Sequence, residues 1–414
     1  MMDWKTAALG DVLGVIKNGL NCKQNKDGVG QKVSRIESIA DASFDVGRVG
    51  YAELSEKDKS KHRLEPGDIL FSHINSVVHV GKTAIFITDE EVYHGVNLLL
   101  MRPTPNLSAE YLELYLKYLF QTGYWRTICK QSVNQASVNQ QHIKRVSISF
   151  PESLPEQKRI VATLDEAFAG IDAAVANTEK NLANARELFE SYLNAVFTLK
   201  GDGWVEKKLG SICGFVRGPF GGSLKKSIFV PDGFAVYEQR NAIYDQFDDI
   251  RYFIDEPKFN EMRRFELFPN DLIMSCSGTM GRVAIVPEGI KQGIINQALL
   301  KLTPSTDVLS AFLKYWMDSE AFQDALKMHS GGAAIQNVAS VKVLKEIEIP
   351  LPSTEIQEQV VGQVDAMLEQ STNLQSIYQQ KLEALAELKQ SILQKAFAGE
   401  LTALPVKEID EAVA

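Results

Sequence analysis

The 414-residue sequence lacks any apolar run of the roughly 18 residues that a membrane-spanning helix requires, and its stretch through Leu20 is broken by Asp3, Lys5, Asp11 and Lys17. A soluble chain in the cytoplasm, with no membrane partner, is the expectation. Cysteine is scarce: Cys22, Cys129, Cys213 and Cys276 lie far apart, with no Cys-x-x-Cys pair. That spacing argues against a disulfide framework and against a zinc knuckle, leaving ordinary reduced thiols.

Signatures of chemistry are missing as well. A phosphate-binding loop needs a glycine five residues ahead of Gly-Lys-Thr so that backbone amides can surround a phosphate; ahead of Gly81, Lys82 and Thr83 that position is Ser76. Because the second half of the chain offers Gly281, Arg282 and Val283 at the same place, the feature reads as a tight turn before a strand. There is no Pro-Pro pair, so the Asn-Pro-Pro-aromatic stretch of a methyltransferase is absent. Glu156, Gln157 and Lys158 have the spacing of an acidic-x-Lys metal site, but they open a long helix, where the macrodipole favours Glu. The six histidines (His62, His73, His79, His94, His142, His329) show no metal-ligand spacing. No catalytic residue and no metal site is expected, and the chain is not read as an enzyme.

A basic excess is also wanting. The net charge is −9, made up of +2 over residues 1–150, −3 over 151–200, −2 over 201–350 and −6 over 351–414. The acidity sits mainly in the helical parts. Near-neutral domains can hold DNA only if basic side chains cluster on one face, so charge alone does not point to nucleic acid.

What the sequence has is an internal repeat of about 200 residues. Trp4, Leu9 and Gly10 recur as Trp204, Leu209 and Gly210. The stretch from Leu64 through Asp68 to Ser72 echoes that from Leu267 through Asp271 to Ser275, and Gly81 to Ile85 echoes Gly281 to Ile285. Asn97 through Pro105 parallels Asn296 through Pro304, and the aromatic-Leu-Lys-Tyr stretch at Tyr115 returns at Phe312. Within each repeat the opening portion alternates short β-rich runs with turn residues and holds one apolar helix, Ala109 to Phe120 or Leu309 to Trp316.

The closing portion of each repeat changes period. From Ile160 the apolar or small positions Ile160, Leu164, Ala167, Ile171, Ala174, Thr178, Leu182, Ala185, Phe189, Tyr192 and Val196 follow a 4-3 spacing, the mark of a coiled-coil seam. Val360, Val364, Met367, Leu374, Tyr378, Leu385, Leu388 and Ile392 repeat it less regularly. Pro155, and Pro350 with Pro352, mark the helix starts. At roughly 42 residues and 1.5 Å per residue, each helix would run about 60 Å. Neither seam can stay exposed. The simplest partner for each helix is the other, antiparallel, with the repeated domains at opposite ends of a rod; the alternative is that each dimerises with another copy. The fold class is α+β: two repeated, mixed, mostly β domains (1–152 and 201–352) alternating with long spacer helices (153–200 and 353–400) packed as an antiparallel coiled coil, before an acidic tail (401–414).

This order resembles the specificity subunit of Type I restriction-modification systems over nearly the whole chain. The motifs that carry the likeness are the Asp-aliphatic-aliphatic stretches at Asp68 and Asp271 with their Gly-Lys or Gly-Arg turns, and Ile294 to Gln297. With them go the helix openings Phe150 to Gln157 and Ile349 to Gln357, and the closing Ala396 to Leu401. The likeness departs at the end of the first helix, where Phe197 to Lys200 replaces Phe-x-Gly-Glu-Leu. The resemblance implies two target recognition domains, each reading half of an asymmetric split site in double-stranded DNA. It further implies helices that space the halves and dock two modification subunits, which carry S-adenosylmethionine and methylate adenine. Restriction subunits, the motor and nuclease, would join for cleavage. No cofactor is expected on this chain, while S-adenosylmethionine, ATP and Mg are expected on the partners.

Base edges are read by Arg, Lys, Asn and Gln, while Ser, Thr and Lys position the backbone. By chemistry and loop position the first domain offers Lys17, Asn18, Lys23, Gln24 and Lys26, then Ser72, His73, Asn75 and Lys82, and the tract Asn134, Gln135, Asn139 and Gln140. The second offers Arg217, Lys225 and Lys226, then Gln239, Arg240 and Asn241, then Ser275, Ser277, Thr279 and Arg282, and finally Gln336 and Asn337. Two other readings stay open: a duplicated scaffold that binds proteins, and a stand-alone restriction enzyme. A salt-dependent shift with duplex DNA would separate the first of these from a DNA reader.

Overall fold

The computed structural model describes residues 3–133, 135–329 and 340–401, without the side chains of 221 and 329. Two compact units result, Met1–Glu179 with Gln380–Ala414, and Lys180–Gln379. Each unit contains one repeated domain with half of each long helix.

In the first unit, Trp4–Ala8 pairs antiparallel with Ser147–Pro151 and ties the start of the domain to the segment that leads into the first long helix. The central sheet is antiparallel, in the order Leu13–Asn18, Leu98–Pro103, Ile69–Ser72 and Thr83–Ile85. Its inner strands Ile69–Ser72 and Leu98–Pro103 bury both faces, which explains their continuous apolar runs. Ile69, Phe71, Leu99 and Met101 face a core built with the helix Ala109–Gln121, whereas Leu70, Ala84, Leu98 and Leu100 face a second core. A smaller sheet, Gly50–Ala52, Gln31–Val33 and Val92–Tyr93, completes the domain, with its last pair parallel.

The second unit repeats this plan. Its four-stranded sheet runs Cys213–Arg217, Leu299–Pro304, Leu272–Ser275 and Val283–Ile285, and again divides two cores, with Leu272, Met274 and Leu302 on one side and Ile273, Ala284 and Leu299 on the other. Asp68 and Asp271 hold the same corner. One carboxylate oxygen accepts the amide of Glu65 at 2.8 Å or of Phe268 at 2.9 Å. The other oxygen takes Arg102 Nε at 2.6 Å in the first unit and the Thr303 hydroxyl at 2.5 Å in the second. The turns at Gly81 and Gly281 are left-handed, with φ of 93° and 74°, and a methyl group there would lie 2.3 Å from the Trp125 ring or 2.6 Å from Leu326. They are tight turns before strands, as the paired motifs predict.

One sequence parallel needs correction. Pro103 lies opposite Leu13, and Pro304 opposite Cys213, so the strands align Pro103 rather than Pro105 with Pro304. Arg102-Pro-Thr-Pro105 contains two prolines, and matching the second one shifts the alignment by two residues.

The long helices are Leu154–Leu199 and Thr354–Ala398. In the first unit Ile160 and Leu164 share a core with Leu393, Ala396 and Phe397, so the start of one helix meets the end of the other. The second unit shows the reciprocal arrangement, Leu193 and Phe197 with Val360 and Val364. Within each unit the helices are therefore antiparallel. Of the expected seam, Ile160, Leu164, Ile171, Val360, Val364 and Leu385 are buried, and Leu182, Phe189, Leu388 and Ile392 are half-buried. Leu374 departs from the expectation: it is 36% exposed, and Ser371 takes the buried place, its hydroxyl donating to the Ala185 carbonyl at 2.6 Å. Near the end of the first helix Leu193 and Phe197 are buried while Tyr192 and Val196 are only half-buried, a one-residue drift of the stripe.

Candidate nucleic-acid interface

In the first unit the strand Leu13–Asn18 delivers Asn18 to a polar cluster. Asn18 Oδ1 accepts from Gln140 Nε2 at 3.3 Å, and Asn139 caps the helix Gln140–Lys144 by accepting the His142 amide at 2.8 Å. Val138 donates to the His73 carbonyl at 2.9 Å, and Ala136 pairs with Asn75 across a short ladder. The structure thus brings Asn18, His73, Asn75, Gln135, Asn139 and Gln140 together. Lys130–Ser132 pairs antiparallel with Gln135–Ser137 at the outer edge of a three-stranded sheet that Ile74–Asn75 completes, with Lys130, Gln131 and Ser132 exposed.

Two depressions of about 500 Å³ flank the loop that carries Lys23, Gln24 and Lys26. One is lined by Gln24 and Asn97, the other by Lys26 and Arg48, and Arg35 and Glu37 line both. The Arg35 guanidinium makes a bidentate contact with Glu37, at 3.3 and 3.2 Å. Arg35 and Arg48 were not among the sequence candidates. Arg35 precedes and Arg48 ends a short 3-10 turn, which carries neither a strand nor a helix period; the only signal for Arg35 is the carboxylate of Glu37 two residues later, and Arg48 has none of that kind.

Other candidates are engaged by the fold. Lys17 donates to the Lys61 carbonyl at 2.7 Å, and burial together with Arg102 lowers its pKa. Lys82 donates to the Ala40 carbonyl at 2.7 Å. Burial lowers the His73 pKa and favours the neutral ring. Ser72 is interior and accepts from Asn75 Nδ2 at 3.0 Å.

In the second unit the corresponding face is built from the strand end at Arg217, the helix Gln239–Tyr244 and the turn after Ser275. Arg217 lies near the Cys276 thiol, and the adjoining Ser277 donates to Gln239 Oε1 at 2.9 Å, while Gln239 donates back to the Ser277 carbonyl. Gln239 also reaches the Thr279 carbonyl at 3.4 Å. Arg240 is half-buried and ion-paired with Asp249 at 2.6 Å. Lys225, Lys226 and Arg282 are exposed.

Two residues of this group are corrected. Asn241 is 4% exposed, with Oδ1 accepting the Glu238 amide at 2.7 Å and Nδ2 donating to the Gln246 carbonyl at 2.6 Å. Ser275 is fully buried and accepts the Arg282 amide at 3.0 Å. Like Ser72 in the first unit, they have no surface to give to a base. Asn134, Gln336 and Asn337 lie outside the described residues.

Burial pushes the Cys213 and Cys276 thiols up to about 12 and about 11, as expected of unreactive core cysteines. Among the described residues no group of three His, Cys, Asp or Glu side chains is placed to hold a metal ion, and no helix is long and apolar enough to cross a membrane.

Comparison with known proteins gives these geometries a context. A family model for the Type I restriction modification DNA specificity domain matches twice, over residues 1–182 and 201–384. A relative named for the type I restriction enzyme MjaX specificity subunit, from Methanocaldococcus jannaschii, is 29% identical over 96% of this chain and 94% of its own. The type I restriction enzyme EcoBI specificity subunit of Escherichia coli is 26% identical over 68% of this chain and 64% of its own. Among solved structures, one described under complex assembly and conformational transition of the type I R-M system superposes with a TM-score of 0.73 at 18% identity, covering 97% of this chain and 99% of that one. The HsdS subunit from Thermoanaerobacter tengcongensis superposes with a TM-score of 0.65 at 18% identity, over 96% and 97%. At that identity the two structures establish the fold.

Proposed function

This chain belongs to the specificity subunits of Type I restriction-modification systems, and from that premise we propose that its two domains each read one portion of a split site in double-stranded DNA. In this reading the chain catalyses nothing itself. Its paired helices dock two modification subunits, adenine methyltransferases that bring S-adenosylmethionine, and restriction subunits bring ATP and Mg.

The observation that carries the reading is the repetition of one polar face on two separate scaffolds. Each domain ends an edge strand of its four-stranded sheet in a basic or amide side chain, Asn18 or Arg217, near a turn that runs from a buried serine to an exposed or half-buried cation, Ser72 to Lys82 and Ser275 to Arg282. The first turn is three residues longer, yet both close on the same backbone bonds, the serine amide to the Lys82 or Arg282 carbonyl and the Gly81 or Gly281 amide to the serine carbonyl, while the side chains differ, as two domains with different base preferences require. The acidic total is compatible with this, because phosphate contacts depend on local clusters such as Lys225 with Lys226.

Two measurements test the proposal. Methylome sequencing of cells expressing this chain with its modification subunit should show one split motif methylated on adenine. Electrophoretic shifts with a duplex carrying that motif should weaken steeply with salt. A methylome unchanged by the chain would refute the reading.

A further inference from the structure

The two domains share a feature that their sequences disguise. Gly19 and Gly218 each follow the strand that lies against the long central strand, and each is pressed onto backbone: a methyl group on Gly19 would lie 1.8 Å from the Gly95 carbonyl oxygen, and one on Gly218 would lie 1.9 Å from that of Asn296. Both are pinned in the same way, so the residues two positions later, Asn21 and Phe220, leave equivalent platforms. Asn21 is an exposed amide. Phe220 is an aromatic ring that is 92% exposed.

Phe220 is held out by ordered chain on both sides. Pro219 before it is buried, and Leu224 after it is packed in the core of the smaller sheet. Between them a 3-10 turn closes with the Ser223 amide donating to the Phe220 carbonyl at 2.8 Å. The loop therefore buries its apolar residues at 219 and 224 and leaves the largest one in water, forgoing the stabilisation that burial of an aromatic ring brings. Phe220 follows the strand end at Arg217, which lies beside Cys276, by three residues, and the exposed Lys225 and Lys226 follow it in the same loop.

Resting on the DNA-reading proposal above, we infer that Phe220 is a wedge that enters a base step of the half-site read by the second domain, unstacking it while Lys225 and Lys226 hold the adjoining phosphates. Apolar wedges of this type separate neighbouring bases and kink the duplex. The exposed cations of the same loop, Lys225 and Lys226, favour DNA over a protein partner as its occupant. The first domain, with Asn21 at the equivalent place, makes no such insertion.

The test uses the full chain and a duplex bearing the methylated motif, with 2-aminopurine placed at each position of the two half-sites in turn. The expected result is a fluorescence rise at one step of one half-site only, lost in Phe220→Ala, kept in Phe220→Trp, with affinity for the duplex about tenfold weaker in the alanine variant. A parent chain that binds the duplex with no rise at any step, or a rise that Phe220→Ala leaves intact, overturns the wedge and leaves the DNA reading standing. A parent chain that does not bind the duplex at all sinks both. If Phe220→Ala instead stops co-purification with the modification subunit while the fluorescence rise persists, the ring is a protein contact and the wedge is likewise overturned.

Discussion

Gln157 and Gln357 stand two hundred residues apart and make the same three hydrogen bonds at the starts of the two long helices. Gln157 accepts the Ser108 amide at 2.7 Å and donates to the carbonyls of Asn106 and Pro151 at 3.0 and 2.8 Å. Gln357 accepts the Leu309 amide at 2.9 Å and donates to Asp307 and Pro352 at 2.9 and 3.0 Å. Both side chains are fully buried, so each one rivets a helix to the loop before its domain's apolar helix. A leucine in either place fills the space but leaves one amide and two carbonyls unmet, at about 2–4 kcal/mol. Urea unfolding of Gln157→Leu and Gln357→Leu should show lower midpoints with unchanged slopes; midpoints equal to the parent's would mean that other groups satisfy these loops.

Lys200 has a φ of 46° directly after the first long helix, where the second helix is followed by Gly399 at φ 82°. The left-handed conformation suits glycine and strains lysine. Lys200 is ion-paired with Glu206 at 2.5 Å, but both partners are more than two-fifths exposed, where such pairs contribute little. Lys200→Gly should therefore stabilise the protein by about 0.5–1 kcal/mol, read as a rise in melting temperature. Lys200→Ala, which keeps the strain and drops the pair, should not. Equal effects from the two variants would count against strain as the cause.

The repeat and the helix periods were legible in the sequence because they depend on the order of apolar residues, which burial enforces directly. Side-chain orientation was not. Ser72, Asn241 and Ser275 have the chemistry of base readers, yet residue type does not say whether a hydroxyl or amide faces solvent or a buried backbone group. The seam shows the same limit: Leu374 fits the apolar pattern, but Ser371 is buried because its hydroxyl bonds a carbonyl of the neighbouring helix where that helix carries the small Ala185. Arg35 shows in the sequence only as an arginine two residues before a carboxylate, too common a pattern to single it out, because its placement depends on a pairing with Glu37 inside a single short turn. Gln157 reads in the sequence as one residue of a helix start, without the three partners that only the folded loop supplies.

His94 couples the first domain to acid. Its ring is buried, with Nε2 3.1 Å from the Leu98 carbonyl, and burial pulls its pKa from 6.5 down to about 3. Above pH 6.5 the folded and unfolded chains both hold it neutral, so stability is fully present. Between about 6.5 and 3 the unfolded chain binds a proton that the folded one refuses, and stability falls as pH falls. His62 and His73 are shifted in the same direction by burial, whereas His329 is the only histidine in the second half of the sequence. The first domain should thus unfold before the second on acidification. Urea midpoints at about pH 7, 5.5 and 4.5, spanning the window between the two pKa values, should fall less steeply for His94→Gln than for the parent; parallel slopes would exclude this site as the cause.

Arg240 separates sequence reading from general attraction. Its guanidinium is at the start of the helix Gln239–Tyr244, held by Asp249 at 2.6 Å, so its direction is set before any DNA arrives. An arginine so placed can offer its fork to a guanine, and losing a bidentate contact of that kind costs about 1–3 kcal/mol against one base pair. Lys225 and Lys226 are exposed and lack such a fixed partner geometry, which suits phosphate contacts. Arg240→Ala should therefore lower affinity for the methylated motif and relax preference at a single position, with the salt slope nearly unchanged. Lys226→Ala should weaken binding to every duplex alike and reduce the salt slope by about one. Competition titrations against a set of single-base variants at two salt concentrations separate the two behaviours. If Arg240→Ala weakens all variants equally, Arg240 is a phosphate contact and base preference in this half-site must come from other side chains on the same face.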